Sequence, residues 1–524
     1  MFGKDDNKGD PYGNTNLAYA VTDAEPITGT ATTTNGSNPF EVKKQPTKCR
    51  DPIFAVLFYA NVAAIIGVFI AYSGDVLNEI SSGADDANAQ DAGDAPTTPP
   101  SAFDPTTPPS AFDYEPPVTE NALPYSGIVY TGLTTAAFAT VLSAVMMQVM
   151  TCIPGILIKA ALIFNVALAG AFAVFGFLSG NMFSGIIGVI FFALMLCYAK
   201  LVWSRIPFAT ANLKTACAII RSNCGVTIVG YVFTIVAFAW TVLWSLAFAG
   251  VQDKVMPTEC ANGDQQCTTN PSYGLLFLLF LSLFFTHQVL SNCIHCTVAG
   301  VAGSWWFNPS SVGCCSSAVI GSLVRTLTTS FGSICFGSLL VAIIQALRQL
   351  AEAARQNDDF GNMLACCIDC ILSCLQSIIE YFNKWAFVYV GLYGYSYCEA
   401  GKGVMDLFRD RGWEAIIADD LVGMVLFMVS LIVGLLTGAF AIIFAENTDW
   451  FDSYPADIDP KVLVFIIGLV VGLLLCSIPM SVIGSAVNAV IVLFAEGPAD
   501  FEKNYPEMSA EMRQAYSEAH PGCM

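Results

Sequence analysis

The chain has 524 residues, of which 55% are hydrophobic and only 12% are charged, with a formal net charge of −20. Soluble proteins carry roughly 25% charged residues, so the composition excludes an ordinary soluble domain. Apolar runs of about 20 residues recur along the chain and predict an all-α polytopic membrane protein. They argue against an outer-membrane barrel, whose strands alternate and span only about 10 residues.

The first elements in chain order are a tail, a span and a loop. Residues 1–52 are polar, lack an apolar signal segment, and predict a disordered cytosolic tail. Residues 53–73 form the first predicted transmembrane helix. Residues 74–124 predict an acidic, Pro-rich outer loop with ten acidic and no basic side chains. A nonapeptide repeated at 96–104 and 105–113 predicts an extended spacer without a packed core.

Residues 125–496 predict a transmembrane bundle of about nine further helices. Its spans are expected near 125–150, 153–179, 182–199, 225–250, 273–302, 326–347, 381–399, 421–445 and 462–494. The total is about ten, and an even number leaves both termini on one side. Basic residues crowd before the first span and between the fourth and fifth, so the positive-inside tendency makes that side the cytosol. Residues 497–524 are then a cytosolic C-terminal tail.

The topology of residues 349–402 is open at this point. Strict alternation puts Arg348 and Arg355 outside, against the positive-inside tendency. A helix lying in the membrane interface or a re-entrant segment would remove the conflict.

A polar stripe lies within the apolar run at 284–307. His287, Ser291 and His295 fall at i, i+4 and i+8 and share a helix face, with Gln288 and Asn292 beside it. Polar groups in hydrocarbon normally face protein or water. These five residues are therefore candidates for substrate binding, and both histidines are candidates for proton coupling. The alternative is that they only hydrogen-bond neighbouring helices.

Four aromatic residues are further candidates for binding an organic cation, because ring faces attract quaternary ammonium groups. Trp240 and Trp244 lie one turn apart in one predicted span, and Tyr389 and Tyr393 lie in another. The alternative for each is packing in the core or in a membrane-interface belt.

The sequence predicts no metal centre and no cofactor. Cys293 and Cys296 share a helix face while His295 points elsewhere, so these residues do not form a closed zinc site by themselves. No phosphate-binding glycine loop, zinc-protease motif or nucleophile elbow stands out, and we expect no enzymatic activity. Cys260 and Cys267 lie in a short loop expected to face outward, where a disulfide is a candidate pairing.

Small residues and prolines predict how the helices pack. The pairs Gly434 with Gly438 and Gly468 with Gly472 have the spacing of close helix contacts. Pro479, within the last span, removes a backbone hydrogen bond and predicts a kink or break. Such breaks are tolerated where protein or a water-filled cavity surrounds them, which favours a transporter or channel.

Four ordered blocks in the last two thirds of the chain resemble the choline transporter-like family. They are Thr286–Phe307, Ser330–Arg348, Tyr381–Gly394 and Pro479–Glu507, and within them Ser330–Leu340 is the closest match. The resemblance implies ten spans, cytosolic termini and a large first outer loop. That loop lacks cysteine and glycosylation sequons here, so the chain is most similar to the fungal, plant and protist branch.

The resemblance implies a secondary or facilitative transporter of choline or a related amino-alcohol or organic cation. Its partners would be that small molecule and the lipid bilayer, with no nucleic acid. Its expected location is the plasma membrane, with an internal membrane as the alternative. The alternative function is a non-transporting membrane scaffold, or a lipid- or wall-homeostasis protein on the same fold. The sequence leaves the oligomeric state open.

Overall fold

The computed structural model describes residues 48–91, 125–255, 258–260, 267–269, 272–309, 312–354, 359–411, 414–448 and 460–519. The sequence predictions for the tail before residue 48, for the repeat at 96–113 and for residues 520–524 lie outside these residues.

The described residues form fifteen α-helices and one short β-hairpin, with a single 3₁₀ turn at Trp203–Arg205. In chain order they are α1 (Pro52–Asp91), α2 (Tyr125–Cys152), α3 (Pro154–Leu178), α4 (Met182–Val202), α5 (Ile206–Ser222), α6 (Gly225–Val255), β1 (Thr258–Cys260), β2 (Cys267–Thr269), α7 (Tyr273–Phe307), α8 (Ser317–Leu327), α9 (Phe331–Ala354), α10 (Asp359–Tyr393), α11 (Tyr397–Arg411), α12 (Glu414–Glu446), α13 (Pro460–Glu496), α14 (Pro498–Asn504) and α15 (Pro506–Ala519).

Nine stretches of the described helices are long and apolar enough to cross a membrane. They lie in α1, α2, α3, α4 with α5, α6, α7, α9, α12 and α13. The predicted fold class, an all-α polytopic membrane protein, is therefore confirmed. Its many exposed aliphatic and aromatic side chains agree with helices that face lipid.

Helix α10 differs from the span predicted at 381–399. It begins at Asp359, runs for 35 residues and ends at Tyr393, and Gly394 then adopts a φ of +64° before α11. A positive φ suits glycine and stops the helix. Arg348 of α9 pairs with Asp369 of α10 at 2.8 Å, so the basic residue that conflicted with the topology has a carboxylate partner on the neighbouring helix. Because α10 packs against α7 and α9, it belongs to the bundle.

Residues 48–51 and helices α14 and α15 lie toward the same end of the bundle. The Arg50 amide donates to the Thr329 carbonyl at 2.8 Å, just before α9 begins. The Trp306 indole, at the end of α7, donates to the Gly497 carbonyl at 3.0 Å, just after α13 ends. Helices α7 and α9 pack against each other, and the short helix α8 joins the end of α7 to the start of α9. Residues 48–51 therefore lie toward the end that carries α14 and α15. That this end is cytosolic stays a prediction.

Helix α7 lies at the centre of the bundle and packs against α1, α6, α9, α10 and α13. Its last third, from Cys296 to Phe307, is buried. Beside it, α12 and α13 approach closely through the predicted glycine pairs. A methyl group built on Gly468 would lie 3.0 Å from the Gly438 Cα, and one on Gly472 would lie 2.9 Å from the Gly434 Cα. The predicted helix contact is confirmed.

One disulfide joins Cys224, between α5 and α6, to Cys314, before α8, across 90 residues of sequence. The sequence pattern did not predict this pairing. The antiparallel register of β1 and β2 sets Cys260 opposite Cys267. Their side chains are not among those described, so the bond between them stays a prediction.

Candidate functional site

Four residues of the polar stripe on α7 line one cavity. Gln288, Ser291, Asn292 and His295 face a space of about 160 Å³ between α7, α9, α10 and α13. Ser291 is exposed although it lies in the middle of a membrane-length helix at the centre of the bundle. We call this space the smaller cavity. The clustering follows from local geometry, because residues three and four apart share a helix face.

A larger cavity, of about 410 Å³, lies beside it between α10, α12 and α13. Its size is within the range of small-molecule sites. The two cavities share four lining residues: His295, Lys384, Ser481 and Ser485. The boundary between the cavities is therefore polar and is contributed by three different helices.

His295 is held at this boundary by both of its ring nitrogens. Nδ1 lies 2.7 Å from the Ser485 hydroxyl on α13. Nε2 lies 2.8 Å from the Lys384 carbonyl on α10. A backbone carbonyl only accepts, so Nε2 carries a proton and donates to it. The imidazole thus links α7 to both partner helices.

Lys384 and Asp419 form an ion pair in the wall of the larger cavity. Lys384 Nζ lies 2.5 Å from Asp419 Oδ2. The Asp419 side chain is only 10% exposed, whereas that of Lys384 is 35% exposed. The same ammonium lies 5.8 Å from the ring centroid of Tyr381, within cation–π range. A carboxylate in a low-dielectric site is costly unless it is paired, so removal of either partner would leave an uncompensated charge in the cavity wall.

A second carboxylate, Glu380, lines the smaller cavity within a chain of polar side chains. Its Oε1 accepts from the Gln376 amide at 2.7 Å and from the Gln345 amide at 3.4 Å. Gln376 Oε1 in turn accepts from Arg348 Nη1 at 2.8 Å. The network runs along α9 and α10 from the end opposite α14 and α15 toward His295.

Helix α13 carries Pro479 beside both cavities without being interrupted. Proline cannot donate to the carbonyl of residue 475, so that acceptor loses its helical partner. The Tyr231 hydroxyl of α6 donates to the Leu475 carbonyl instead, at a long 3.5 Å. Ser477, Met480 and Ser481, which flank the proline, line the larger cavity. The predicted break is thus a missing hydrogen bond within a continuous helix.

The other predicted site residues lie outside the lining of the two cavities. His287 is bonded to the Thr241 hydroxyl at 2.8 Å. Trp240 and Trp244 are 8% exposed and pack in a separate apolar cluster with α1 and α7. Tyr389 and Tyr393 donate to Glu496 at 2.5 Å and 2.6 Å, near the ends of α10 and α13.

Asp419, Ser485 and Asn488 are lining residues that the sequence pattern did not single out. A carboxylate at the start of a strongly apolar span was a usable signal for Asp419, because ionisable groups in membrane segments are often functional. Asn488 is 2% exposed, and its Oδ1 has no hydrogen-bond partner among the described residues. No group of three or more potential metal ligands occurs within the part of the chain that the structure describes.

The part of the chain that forms the two cavities matches a known protein family. The profile described as plasma-membrane choline transporter matches residues 186–499. The chain is 32% identical to Protein PNS1 of Gibberella zeae, over 68% of this chain and 66% of that protein. It is 32% identical to Protein PNS1 of Mycosarcoma maydis, over 74% and 73% respectively.

A CTL-like protein of Dictyostelium discoideum is 35% identical over 53% of this chain and 49% of that protein. The chain thus spans between about half and three quarters of the length of these relatives. Every residue that lines either cavity lies within the matched range.

Proposed function

We propose that this chain, which belongs to the choline transporter-like family, moves choline or a related amino-alcohol or organic cation across a membrane through the two cavities that meet at His295. The family assignment makes it a multi-pass membrane protein of the transporter type. The family's description as plasma-membrane transporters supports the plasma membrane as the proposed location.

The polar boundary between two adjoining cavities is the observation that carries the proposal. Transporter sites lie near the middle of the bundle, where polar side chains and broken backbone bonds line a cavity. Here the boundary joins α7, α10 and α13, and Pro479 lies next to it. A substrate bound there contacts helices from different parts of the bundle, so their relative motion would change its access to either side.

The charges that line the cavities favour a cation. Two carboxylates, Asp419 and Glu380, and one ammonium, Lys384, contribute to the two linings. The sum of these three charges is −1. One monovalent cation neutralises this excess, which matches the charge of choline. Phe427 is the aromatic residue that lines the larger cavity in this conformation.

Proton linkage belongs to the proposal through His295, because its imidazole lies at the boundary of both cavities. His287 lies elsewhere and bonds to Thr241. Histidine is suited to such coupling since its charge changes near neutral pH.

Uptake of radiolabelled choline into proteoliposomes tests the proposal. We expect saturable uptake by the full chain and its loss in Ser481→Leu, which fills the shared boundary with an apolar side chain. Ser377→Leu is the matched control, because Ser377 is an exposed serine of α10 whose hydroxyl bonds only to its own helix at Ser373. Uptake that does not saturate, or that survives in Ser481→Leu, contradicts the proposal and favours a non-transporting membrane protein.

A further inference from the structure

The ammonium of Lys384 lies in surroundings that would recognise an organic cation. Asp419 Oδ2 lies 2.5 Å from Nζ, and the Tyr381 ring centroid lies 5.8 Å from the same atom. A carboxylate and an aromatic face are the two groups that bind substituted ammonium ions in proteins. Both Lys384 and Asp419 line the larger cavity.

Asp419 and Lys384 differ in their freedom to move. Asp419 is 8% exposed as a residue, and an ionised carboxylate with so little water is stabilised by a cationic partner. The Lys384 backbone is fixed, since its carbonyl accepts from His295 at 2.8 Å. Its ammonium, however, ends a flexible four-carbon stem and reaches a wide volume.

A second carboxylate lies one turn away on the same helix. Glu380 precedes Lys384 by four residues on α10, a spacing that sets the two side chains on one helix face. Glu380 and Lys384 both line the smaller cavity, whereas Lys384 alone of the two also lines the larger one. The Glu380 carboxylate accepts hydrogen bonds from two neutral amides, those of Gln345 and Gln376.

We propose that Lys384 is a tethered competitor of the substrate: an incoming monovalent organic ammonium replaces it at Asp419, and the lysine ammonium transfers to Glu380. This inference rests on the proposed function and names the groups that select its substrate. Before the exchange Lys384 pairs with Asp419, and Glu380 is held by two neutral amides. After it each carboxylate has a cationic partner, so the excess negative charge is neutralised. A zwitterion brings a negative charge with its ammonium and leaves the excess uncompensated, so the exchange selects against it.

The test compares choline binding by purified full-length variants, measured by calorimetry. Lys384→Met removes the competitor and keeps the length of the side chain, and we expect choline to bind about tenfold more tightly. Asp419→Asn should abolish measurable binding. Lys384→Arg keeps a competing cation and should bind no more tightly than the parent protein. Lys461→Met is the matched control, because it breaks the ion pair with Glu446 away from both cavities and should leave binding unchanged.

A double-mutant cycle of Glu380 with Lys384 distinguishes the exchange from a purely structural ion pair. Glu380→Gln removes the acceptor for the displaced lysine and should weaken choline binding several-fold. In the Lys384→Met background the same change should have little effect, because no lysine needs a new partner. Equal effects of Glu380→Gln in both backgrounds overturn the exchange.

A variant that folds poorly still gives an answer. Lys384→Ala should recover its thermal stability when butylammonium is added, because the free cation replaces the lost side chain, and choline should act in the same way. If neither cation raises the melting temperature, and Lys384→Met binds choline as the parent does, the inference is wrong. If the parent protein takes up choline but the Lys384, Asp419 and Glu380 variants bind it as the parent does, the exchange is wrong and the proposed transport stands. If the proteins bind choline with the expected differences but the parent takes up none, the proposed transport is wrong and the exchange stands.

Discussion

His287 and His295 lie two turns apart on α7, yet their surroundings give them different roles in the proposal. His295 contacts Ser485 and the Lys384 carbonyl at the boundary of both cavities, where the charged side chains of Lys384 and Asp419 also line the space. His287 contacts Thr241 of α6, outside both linings. A change of charge at His295 would therefore act directly on the substrate path, whereas one at His287 would act on helix packing.

Replacing each histidine with glutamine separates these roles. We expect His295→Gln to flatten the dependence of choline uptake on pH between about pH 4 and 8, because it removes the imidazole that lines both cavities. His287→Gln should keep the profile of the parent protein. Uptake rates in proteoliposomes across this range provide the measurement. A parent profile that is already flat, or that persists in His295→Gln, contradicts proton coupling and leaves both histidines with structural roles.

The sequence predicted the part of the site that depends on local spacing. Gln288, Ser291, Asn292 and His295 share a cavity because they repeat at helical intervals, which the sequence displays directly. The pair of Lys384 with Asp419 joins residues on different helices, and no spacing rule connects them. The disulfide between Cys224 and Cys314 was missed for the same reason, since 90 residues separate them.

At the scale of elements, hydropathy located the apolar helices and misplaced the start of α10. That helix carries Asp369, Gln376 and Glu380, which accept hydrogen bonds from Arg348 and Gln345 of α9. These polar side chains interrupt the apolar run, so the hydropathy pattern indicates only the last turns of the helix. The polar network that interrupts the run is also the one that reaches the smaller cavity.

Pro479 leaves the Leu475 carbonyl of α13 without its helical hydrogen bond, and a substitution can restore that bond. Pro479→Ala lets residue 479 donate to the Leu475 carbonyl, and a net hydrogen bond of this kind stabilises by about 1 kcal/mol. We expect unchanged or higher thermal stability together with a fall of about tenfold in the maximal uptake rate, because the helix loses a point of flexure beside the cavities.

Pro460→Ala is the matched control for this change. Pro460 is the first residue of α13, where no preceding helical carbonyl awaits a bond, so both stability and uptake should stay near those of the parent. Uptake by Pro479→Ala at the parent rate would show that the missing hydrogen bond has no part in transport.

At the scale of the whole molecule, hydrogen bonds join distant helices at the end that carries α14 and α15. Tyr389 and Tyr393, at the end of α10, donate to Glu496 at the end of α13. The Trp306 indole of α7 donates to the Gly497 carbonyl. The helices joined here, α7, α10 and α13, are also those that form the boundary between the cavities. Alternating access requires such contacts to break when the cavities open toward this end.

The tyrosine contacts can be removed without disturbing the cavities. Hydrogen bonds to a charged group contribute about 1.5–3 kcal/mol each, so Tyr389→Phe with Tyr393→Phe should shift the population toward the form open at this end by at least about tenfold. A cysteine introduced by Ser485→Cys reports the change through its labelling by an impermeant maleimide. The vesicles are oriented with α14 and α15 facing the medium. We expect faster labelling in the double variant, after subtraction of the signal from the same chain with Ser485 intact.

Tyr505→Phe is the control, because its phenol donates to the Trp305 carbonyl at the same end without joining α10 to α13. Its labelling rate should equal that of the parent, since the removed bond does not oppose the separation of those two helices. If the double variant labels no faster than this control, the tyrosine contacts do not hold this end closed. The barrier to substrate exit would then lie nearer the cavities, at His295 and the ion pair beside it.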